Sequence, residues 1–202
     1  MLSLVVLISG SGSNARALLD AAAEPRAQFR VIAVGADNSA PGLAHAAEFG
    51  IPTFVVSPGD FANRGDWGSA LLERINEATA GESEEVLVVC AGFMRILPAH
   101  VVHALTPHLI NMHPALLPLY PGAHAVADAL ADGATVTGAT VHIVDEGVDT
   151  GPVIRQIEVP IEPADTKDSL HERIKQVERE LIVAVVNDIA RHDITLKEIA
   201  RT

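Results

Sequence analysis

Aromatic residues are scarce in this chain: Phe, Trp and Tyr together make up 3% of its 202 residues. Hydrophobic residues nevertheless reach 49%, so the core must be built from Val, Ile, Leu and Ala. Side chains of this kind fill parallel sheets that are covered on both faces. The scarcity of aromatic residues therefore favours a parallel sheet.

Cysteine is nearly absent as well, since Cys90 is the only one. A single cysteine excludes an internal disulfide, and its place after the apolar run Val86–Val89 predicts a buried thiol in a reducing compartment. A catalytic thiol is the alternative, but reactive thiols usually lie in electropositive, partly exposed surroundings. The N-terminal apolar run, Leu4–Ile8, is too short for a signal peptide or a membrane helix. We therefore expect a cytoplasmic protein that does not bind membranes.

Basic residues are few, with 14 Lys and Arg against 26 Asp and Glu and a net charge of −12. Nucleic-acid and anionic membrane surfaces need clustered Lys and Arg, so the charge argues against both partners. Metal-binding patterns of the CxxC or HExxH type are also missing, and we predict no metal. The expected partners are small molecules, and an anionic one must be bound by local groups.

The hydrophobic pattern predicts one α/β domain over residues 1–202. Strands and helices alternate at the spacing of a doubly wound fold, which has a mostly parallel sheet and helices on both faces. Ligands of such sheets bind beyond the carboxyl ends of the strands. Strands are predicted at Leu2–Ile8, Phe29–Gly35, Thr53–Val56, Glu85–Cys90, Leu109–Met112, Thr135–Val144 and Val153–Val159, and helices at Ala15–Ala23, Gly42–Phe49, Trp67–Ala80, His124–Asp132 and Thr166–Ala190.

A glycine-rich loop, Ser9–Asn14, separates the first predicted strand from the first helix. Free N–H groups and the dipole at a helix start favour an anion, and glycines allow a close backbone approach. The loop formally matches a dinucleotide fingerprint, with Asp37 as the candidate ribose partner, and a turn without ligand is a third interpretation. A triphosphate loop is disfavoured because no Gly-Lys-Ser/Thr follows. The polar pair Ser13 and Asn14 favours a single phosphate.

The stretch Asn111–Gly122 combines an amide, an imidazole and three prolines within twelve residues. Asn111 and His113 alternate at a strand end, so both side chains should point to the same face. Pro114 biases His113 toward an extended conformation, and a held imidazole suits proton transfer, while the amide suits a developing oxyanion. A satisfied structural histidine is the alternative. A carboxylate from Asp149, in the later acidic turn, would raise the pKa of His113 if the fold brought the two together.

Four motifs, in this order and spacing, resemble the phosphoribosylglycinamide formyltransferase family of folate-dependent formyltransferases: Ile8–Asn14, Ala91–Leu97, Asn111–Gly122 and Asp145–Ile154. The resemblance covers essentially the whole chain. It implies transfer of the formyl group of 10-formyltetrahydrofolate to the amine of 5-phosphoribosylglycinamide, in de novo purine biosynthesis. Leu119 departs from the pattern, since some relatives carry a basic residue there.

The resemblance also implies the roles of individual residues. It makes Asn111, His113 and Asp149 the catalytic set, with His113 kept protonated by Asp149. For the remaining positions it implies a substrate site at Gly12, Ser13, Asn14 and Glu178, and a folate site at Arg64, Met94, Arg95, Ile96 and Leu97 together with Asn111.

Other functions stay open at this stage. A formyltetrahydrofolate deformylase would use the same catalytic residues on water, but usually carries a further N-terminal domain. A methionyl-tRNA formyltransferase would need an RNA-binding domain and a basic surface. A dinucleotide-binding protein without formyl chemistry and a non-catalytic scaffold are further alternatives. His142 is interpreted as a packed strand histidine, with a site-lining role as the alternative, and a homodimer is left open.

Overall fold

A computed structural model describes residues 1–201 and shows one seven-stranded sheet with the strand order β3-β2-β1-β4-β5-β6-β7. The strands are β1 (Leu2–Ile8), β2 (Phe29–Ala36), β3 (Thr53–Val55), β4 (Val86–Cys90), β5 (Leu109–His113), β6 (Val136–Ile143) and β7 (Val153–Pro160). The helices are α1 (Ser13–Ala22), α2 (Leu43–Glu48), α3 (Arg64–Thr79), α4 (Ala99–Leu105), α5 (Ala125–Ala131), α6 (Lys167–Ala190) and α7 (Leu196–Ile199).

The first five strands in the sheet order run parallel. The central strands β1 and β4 are covered on both faces, whereas the edge strand β3 is exposed on one face. Alternate residues of β1 enter two separate cores: Leu4, Val6 and Ile8 pack with α1 and α6, whereas Val5 and Leu7 pack with α3 and α4. This double burial explains the aliphatic composition, because a strand between two helix layers has no polar face. The predicted doubly wound fold is confirmed.

The last two strands depart from the parallel pattern. β6 pairs antiparallel with β5, and β7 pairs antiparallel with β6. In the β5–β6 register Asn111 lies opposite His142, and His113 lies opposite Thr140. The antiparallel pair therefore brings a second polar strand beside the end of β5.

The predicted element boundaries hold to within a few residues, with one consequential correction. The third helix begins at Arg64, three residues before the predicted start at Trp67, because the Asn63 side chain accepts a hydrogen bond from the Asp66 N–H at 2.9 Å. Arg64 therefore lies in the first helical turn, and not before the start of the helix as the sequence predicts. Within residues 1–201, no helix has the length and apolar character to cross a membrane.

Candidate active site

Three loops, residues 9–12, 91–98 and 114–124, leave the carboxyl ends of the parallel strands β1, β4 and β5. Ser9 joins two of them: its hydroxyl accepts from the Met94 N–H at 2.8 Å, and its N–H donates to the Gly92 carbonyl at 3.0 Å. Beside this junction lies a cavity of about 340 Å³, lined by residues from the segments 90–97, 111–114, 122–123 and 142–149. Its volume is in the range of small-molecule sites.

Asp149 is the centre of a polar cluster in this cavity. Its backbone is left-handed, with φ +55, which a non-glycine residue adopts only when its surroundings fix it. The carboxylate accepts from the Gly122 N–H at 2.8 Å and from Asn111 Nδ2 at 3.3 Å. His113 Nδ1 lies 3.3 Å and His142 Nε2 lies 3.5 Å from its oxygens. Residues from three parts of the chain thus converge on one carboxylate.

These contacts control the charge of Asp149. Burial raises the pKa of this carboxyl, but the interactions with His142 and the Gly122 N–H and the charge of His113 together outweigh burial and bring it to about 2. The carboxylate is therefore ionised at any physiological pH, and it provides the fixed negative charge of the cluster.

His113 is 4% exposed, and both of its ring nitrogens have partners. Nε2 lies 2.8 Å from the Tyr120 carbonyl oxygen, so this nitrogen carries the hydrogen. Burial lowers the pKa of His113 below its ordinary value, despite the opposing effects of the Tyr120 carbonyl and Asp149. Asp149 acts in the direction that the sequence predicts, and its role in keeping the imidazole protonated stays a prediction.

Asn111 connects the carboxylate to His142. The Nδ1 atom of His142 lies 2.9 Å from the Ile143 carbonyl, which assigns its hydrogen to Nδ1 in the neutral ring. Nε2 is then free to accept from Asn111 Nδ2 at 3.1 Å, while the same amide also donates to Asp149. His142 and Asp149 therefore fix the orientation of the amide.

A second polar site lies at the start of α1. Gly12 has φ +70, and an added Cβ would come within 3.0 Å of Gly42 Cα, so only glycine fits there. No side chain caps α1, which leaves the first N–H groups of the helix available to an anion. Asn14 Nδ2 donates to Glu178 Oε2 at 3.3 Å, although the two residues are 164 positions apart. Burial raises the pKa of Glu178 to about 6.

Comparison with known proteins agrees with this geometry. The model of the formyl transferase family matches residues 2–186. The chain belongs to the formyl transferase family.

The family resemblance drawn from the sequence is thereby confirmed, and named relatives extend it. A phosphoribosylglycinamide formyltransferase of Mycobacterium tuberculosis is 49% identical over 193 residues, which are 96% of this chain and 87% of the relative. One of Bacillus subtilis is 33% identical, with 94% and 95% covered. The crystal structure of glycinamide ribonucleotide transformylase 1 from Symbiobacterium toebii superposes with a TM-score of 0.89 at 36% identity, covering 95% of this chain and 89% of that one.

Within this formyl transferase, the predicted folate residues fall into two groups. Met94 and Ile96 line the cavity with apolar side chains that are 72% and 52% exposed. Leu97 also lines the cavity, but its side chain is buried. Arg95 also lines the cavity and forms an ion pair with Asp37. Arg64 is exposed on α3 and is not part of the cavity lining, so its folate contact stays a prediction.

Two backbone contacts of the formyl transferase cluster were not predicted, the Tyr120 carbonyl and the Gly122 N–H. His142 lines the site, which the sequence offered as the alternative to a packed strand histidine. The sequence signal for His142 is the alternation of Thr140 and His142 in β6, which matches the alternation of His113 and Asn111 in β5. This match indicates that His142 lies beside Asn111 only when the antiparallel register of the two strands is known. The backbone partners carry no sequence signal, because any residue supplies a carbonyl or an N–H. Within residues 1–201, no cluster of three or more His, Cys, Asp or Glu is arranged to hold a metal ion.

Proposed function

We propose that this formyl transferase moves the formyl group of 10-formyltetrahydrofolate to the amine of 5-phosphoribosylglycinamide, giving formylglycinamide ribonucleotide and tetrahydrofolate in de novo purine biosynthesis. The observation that carries the proposal is the convergence of Asn111, His113 and Asp149 on one cavity. The uncapped start of α1 lies at the same sheet edge. One of these sites would suit acyl transfer and the other a phosphate, which supports the proposal.

Asn111, His113 and Asp149 are proposed as the catalytic set. Attack of the amine forms the new C–N bond and places negative charge on the formyl oxygen, and the bond from that carbon to the folate nitrogen then breaks. Both amide hydrogens of Asn111 are engaged, by Asp149 and by His142, so the charged oxygen would take over the longer of these hydrogen bonds, the one to Asp149 at 3.3 Å. The positive charge of a protonated His113 would stabilise the same oxygen. His113 is proposed to carry the amine proton to the departing nitrogen, because the adjacent carboxylate favours the protonated ring.

The substrate site is proposed at Gly12, Ser13, Asn14 and Glu178. The α1 N–H groups and the Ser13 hydroxyl would bind the phosphate. Asn14 Oδ1 is buried without a hydrogen-bond partner among the described residues, as expected for an acceptor awaiting a hydroxyl or amine donor. Glu178 provides a second buried acceptor beside it.

The folate site is proposed at Met94, Arg95, Ile96 and Leu97 together with Asn111, and Arg64, which lies outside the cavity lining, is proposed as a further folate contact. A flat heteroaromatic ring would cover apolar side chains that are now exposed, which favours binding through the hydrophobic effect. The proposed chemistry uses no metal. We also propose a cytoplasmic location, from the single buried thiol, and a homodimer as the assembly to be tested.

The decisive assay measures tetrahydrofolate release from 10-formyltetrahydrofolate with and without phosphoribosylglycinamide. Release that depends on the amine, with stoichiometric formylglycinamide ribonucleotide, is expected. Equal release in its absence would make the protein a deformylase. Thermal protection by NAD but not by folate would favour the dinucleotide alternative.

A further inference from the structure

A hydrogen-bond network joins β6 and β7 to the chain that follows His113. The Thr140 hydroxyl donates to the Ala115 carbonyl at 2.6 Å and accepts from the Leu117 N–H at 3.2 Å. Gln156 Nε2 donates to the Leu117 carbonyl at 2.7 Å and to the Thr140 hydroxyl at 2.9 Å. Two side chains thus hold three backbone groups of one short segment.

This network is saturated at its centre. A threonine hydroxyl has one hydrogen to donate and two lone pairs to accept with, and Thr140 uses all three. Its side chain is 0% exposed, so water does not replace a lost partner. Removing the hydroxyl would leave the Leu117 N–H and the Ala115 carbonyl buried without their partners, which is costly.

The segment held by the network begins the loop of residues 114–122, which we call the His113 loop. The far end of this loop returns to the cluster: the Tyr120 carbonyl is 2.8 Å from His113 Nε2, and the Gly122 N–H donates to Asp149. Tyr120 has φ +55 and Gly122 has φ +87, conformations that persist when the surroundings determine them. The base of the loop therefore bears on the orientation of the imidazole.

We propose that Thr140 and Gln156 are positioning residues for His113: they fix the base of the His113 loop so that the Tyr120 carbonyl holds Nε2 and directs Nδ1 at Asp149. Thr140 also lies opposite His113 in the β5–β6 register, so one residue constrains both the strand and the loop around the imidazole. The consequence for turnover rests on the proposed function, whereas the consequence for His113 itself does not.

The same strand supplies a matched control. Thr137 is also buried in β6, 1% exposed, but its hydroxyl has no hydrogen-bond partner among the described residues. Thr137→Val and Thr140→Val therefore make the same chemical change in one strand, and only the second breaks the network. Thr140→Ser keeps the hydroxyl, and Gln156→Met removes the other member from the partly exposed strand β7.

Steady-state kinetics on the four variants tests the catalytic consequence. We expect Thr140→Val and Gln156→Met to lose about tenfold or more in kcat, with KM for folate changed less than about threefold, because a displaced reacting group costs turnover more than binding. Thr140→Ser and Thr137→Val should stay within about threefold of the wild type in kcat. An equal loss of kcat in Thr137→Val, or a loss confined to KM, would overturn the proposal.

A titration of the His113 imidazole by NMR in the free protein tests the same proposal without substrate. Its resonance is assigned by its loss in His113→Gln. The groups facing the ring are Asp149, His142 and the Tyr120 carbonyl; burial and His142 lower the pKa of His113, and the carbonyl and Asp149 raise it. Release of the loop would change both the burial of the ring and its contact with the carbonyl, so the titration of His113 should shift in Thr140→Val and Gln156→Met and stay unchanged in Thr137→Val. An unchanged titration in both folded network variants would refute the proposal, whereas a shift in a protein without formyl transfer would refute only the proposed function.

Discussion

Two carboxylates, the half-buried Asp149 at the β6–β7 loop and the buried Glu178 on α6, show how environment separates groups of the same chemistry. Asp149 has two histidines, an amide and a backbone N–H around it, and its pKa falls to about 2. Glu178 has one amide hydrogen at 3.3 Å, and burial raises its pKa to about 6. The number of hydrogen-bond donors, and not depth alone, decides which acid is charged near neutrality.

The largest change should come from removing the partner that faces Asp149. We expect His113→Ala to fold and to bind folate, but to lose about 10³-fold in kcat, within the usual range for a proton-transfer residue. The pKa of Asp149 should rise toward that of Glu178, because the charge of His113 lowers it. Carbon-detected NMR of the carboxyl and single-turnover kinetics measure both effects. Unchanged turnover would remove His113 from the proposed mechanism.

Asp149→Asn removes the charge and keeps the side-chain shape, and asparagine tolerates a left-handed backbone. We expect kcat to fall about 10²-fold and the pKa of His113 to fall further, visible in the pH–rate profile. The folded pKa of Asp149 lies below its unfolded value of 3.8, so its contribution is present above that pH and is lost as the pH falls through about 2. The free energy of unfolding of Asp149→Asn at pH 7 should therefore be about 2 kcal/mol lower than that of the wild type. A wild-type-like pH–rate profile would count against the His113–Asp149 pair.

Glu178→Gln should change stability in the opposite direction. The pKa of Glu178 in the folded protein lies above its unfolded value of 4.5. Its protonated form therefore contributes stability that is fully present below pH 4.5 and is lost as the pH rises through about 6. The neutral glutamine avoids this loss, and denaturant titration at pH 8 should show about 2 kcal/mol more free energy of unfolding, with little difference at pH 4. KM for phosphoribosylglycinamide should rise about tenfold, as for one lost hydrogen bond to a charged group. Equal stability of variant and wild type at pH 8 would show that Glu178 is solvated.

The smallest effect concerns a third acid, the buried Cys90 thiol, for which burial raises the pKa to about 12. No hydrogen bond offsets this burial, so we expect iodoacetamide at pH 8 to modify Cys90 at a rate limited by unfolding. Cys90→Ala should retain kcat within about twofold, since a thiol held neutral is no nucleophile. Rapid alkylation of the folded protein would show that burial without hydrogen-bond donors does not prevent ionisation of the Cys90 thiol.

The sequence predicted most of the sheet because each strand is a separate aliphatic run bounded by polar residues. It also predicted that Asn111 and His113 share a face, since alternation along a strand is local geometry. The partnership of Asn111 with His142 could not be predicted, because it depends on the antiparallel pairing of β5 and β6 after a doubly wound start. The start of α3 was misplaced because the capping role of Asn63 outweighs the weak periodicity of the polar residues after it.

The ion pair between Arg95 and Asp37 has a consequence for ligand choice. Asp37 is the carboxylate that a dinucleotide ribose would need, and it accepts from Arg95 and, at 2.8 Å, from the Asn38 amide. A ribose hydroxyl would compete with a guanidinium attached to the same chain, whose effective concentration is of millimolar order or higher. The glycine loop therefore matches a dinucleotide-binding sequence pattern, but Arg95 already occupies Asp37, the carboxylate that would bind the ribose.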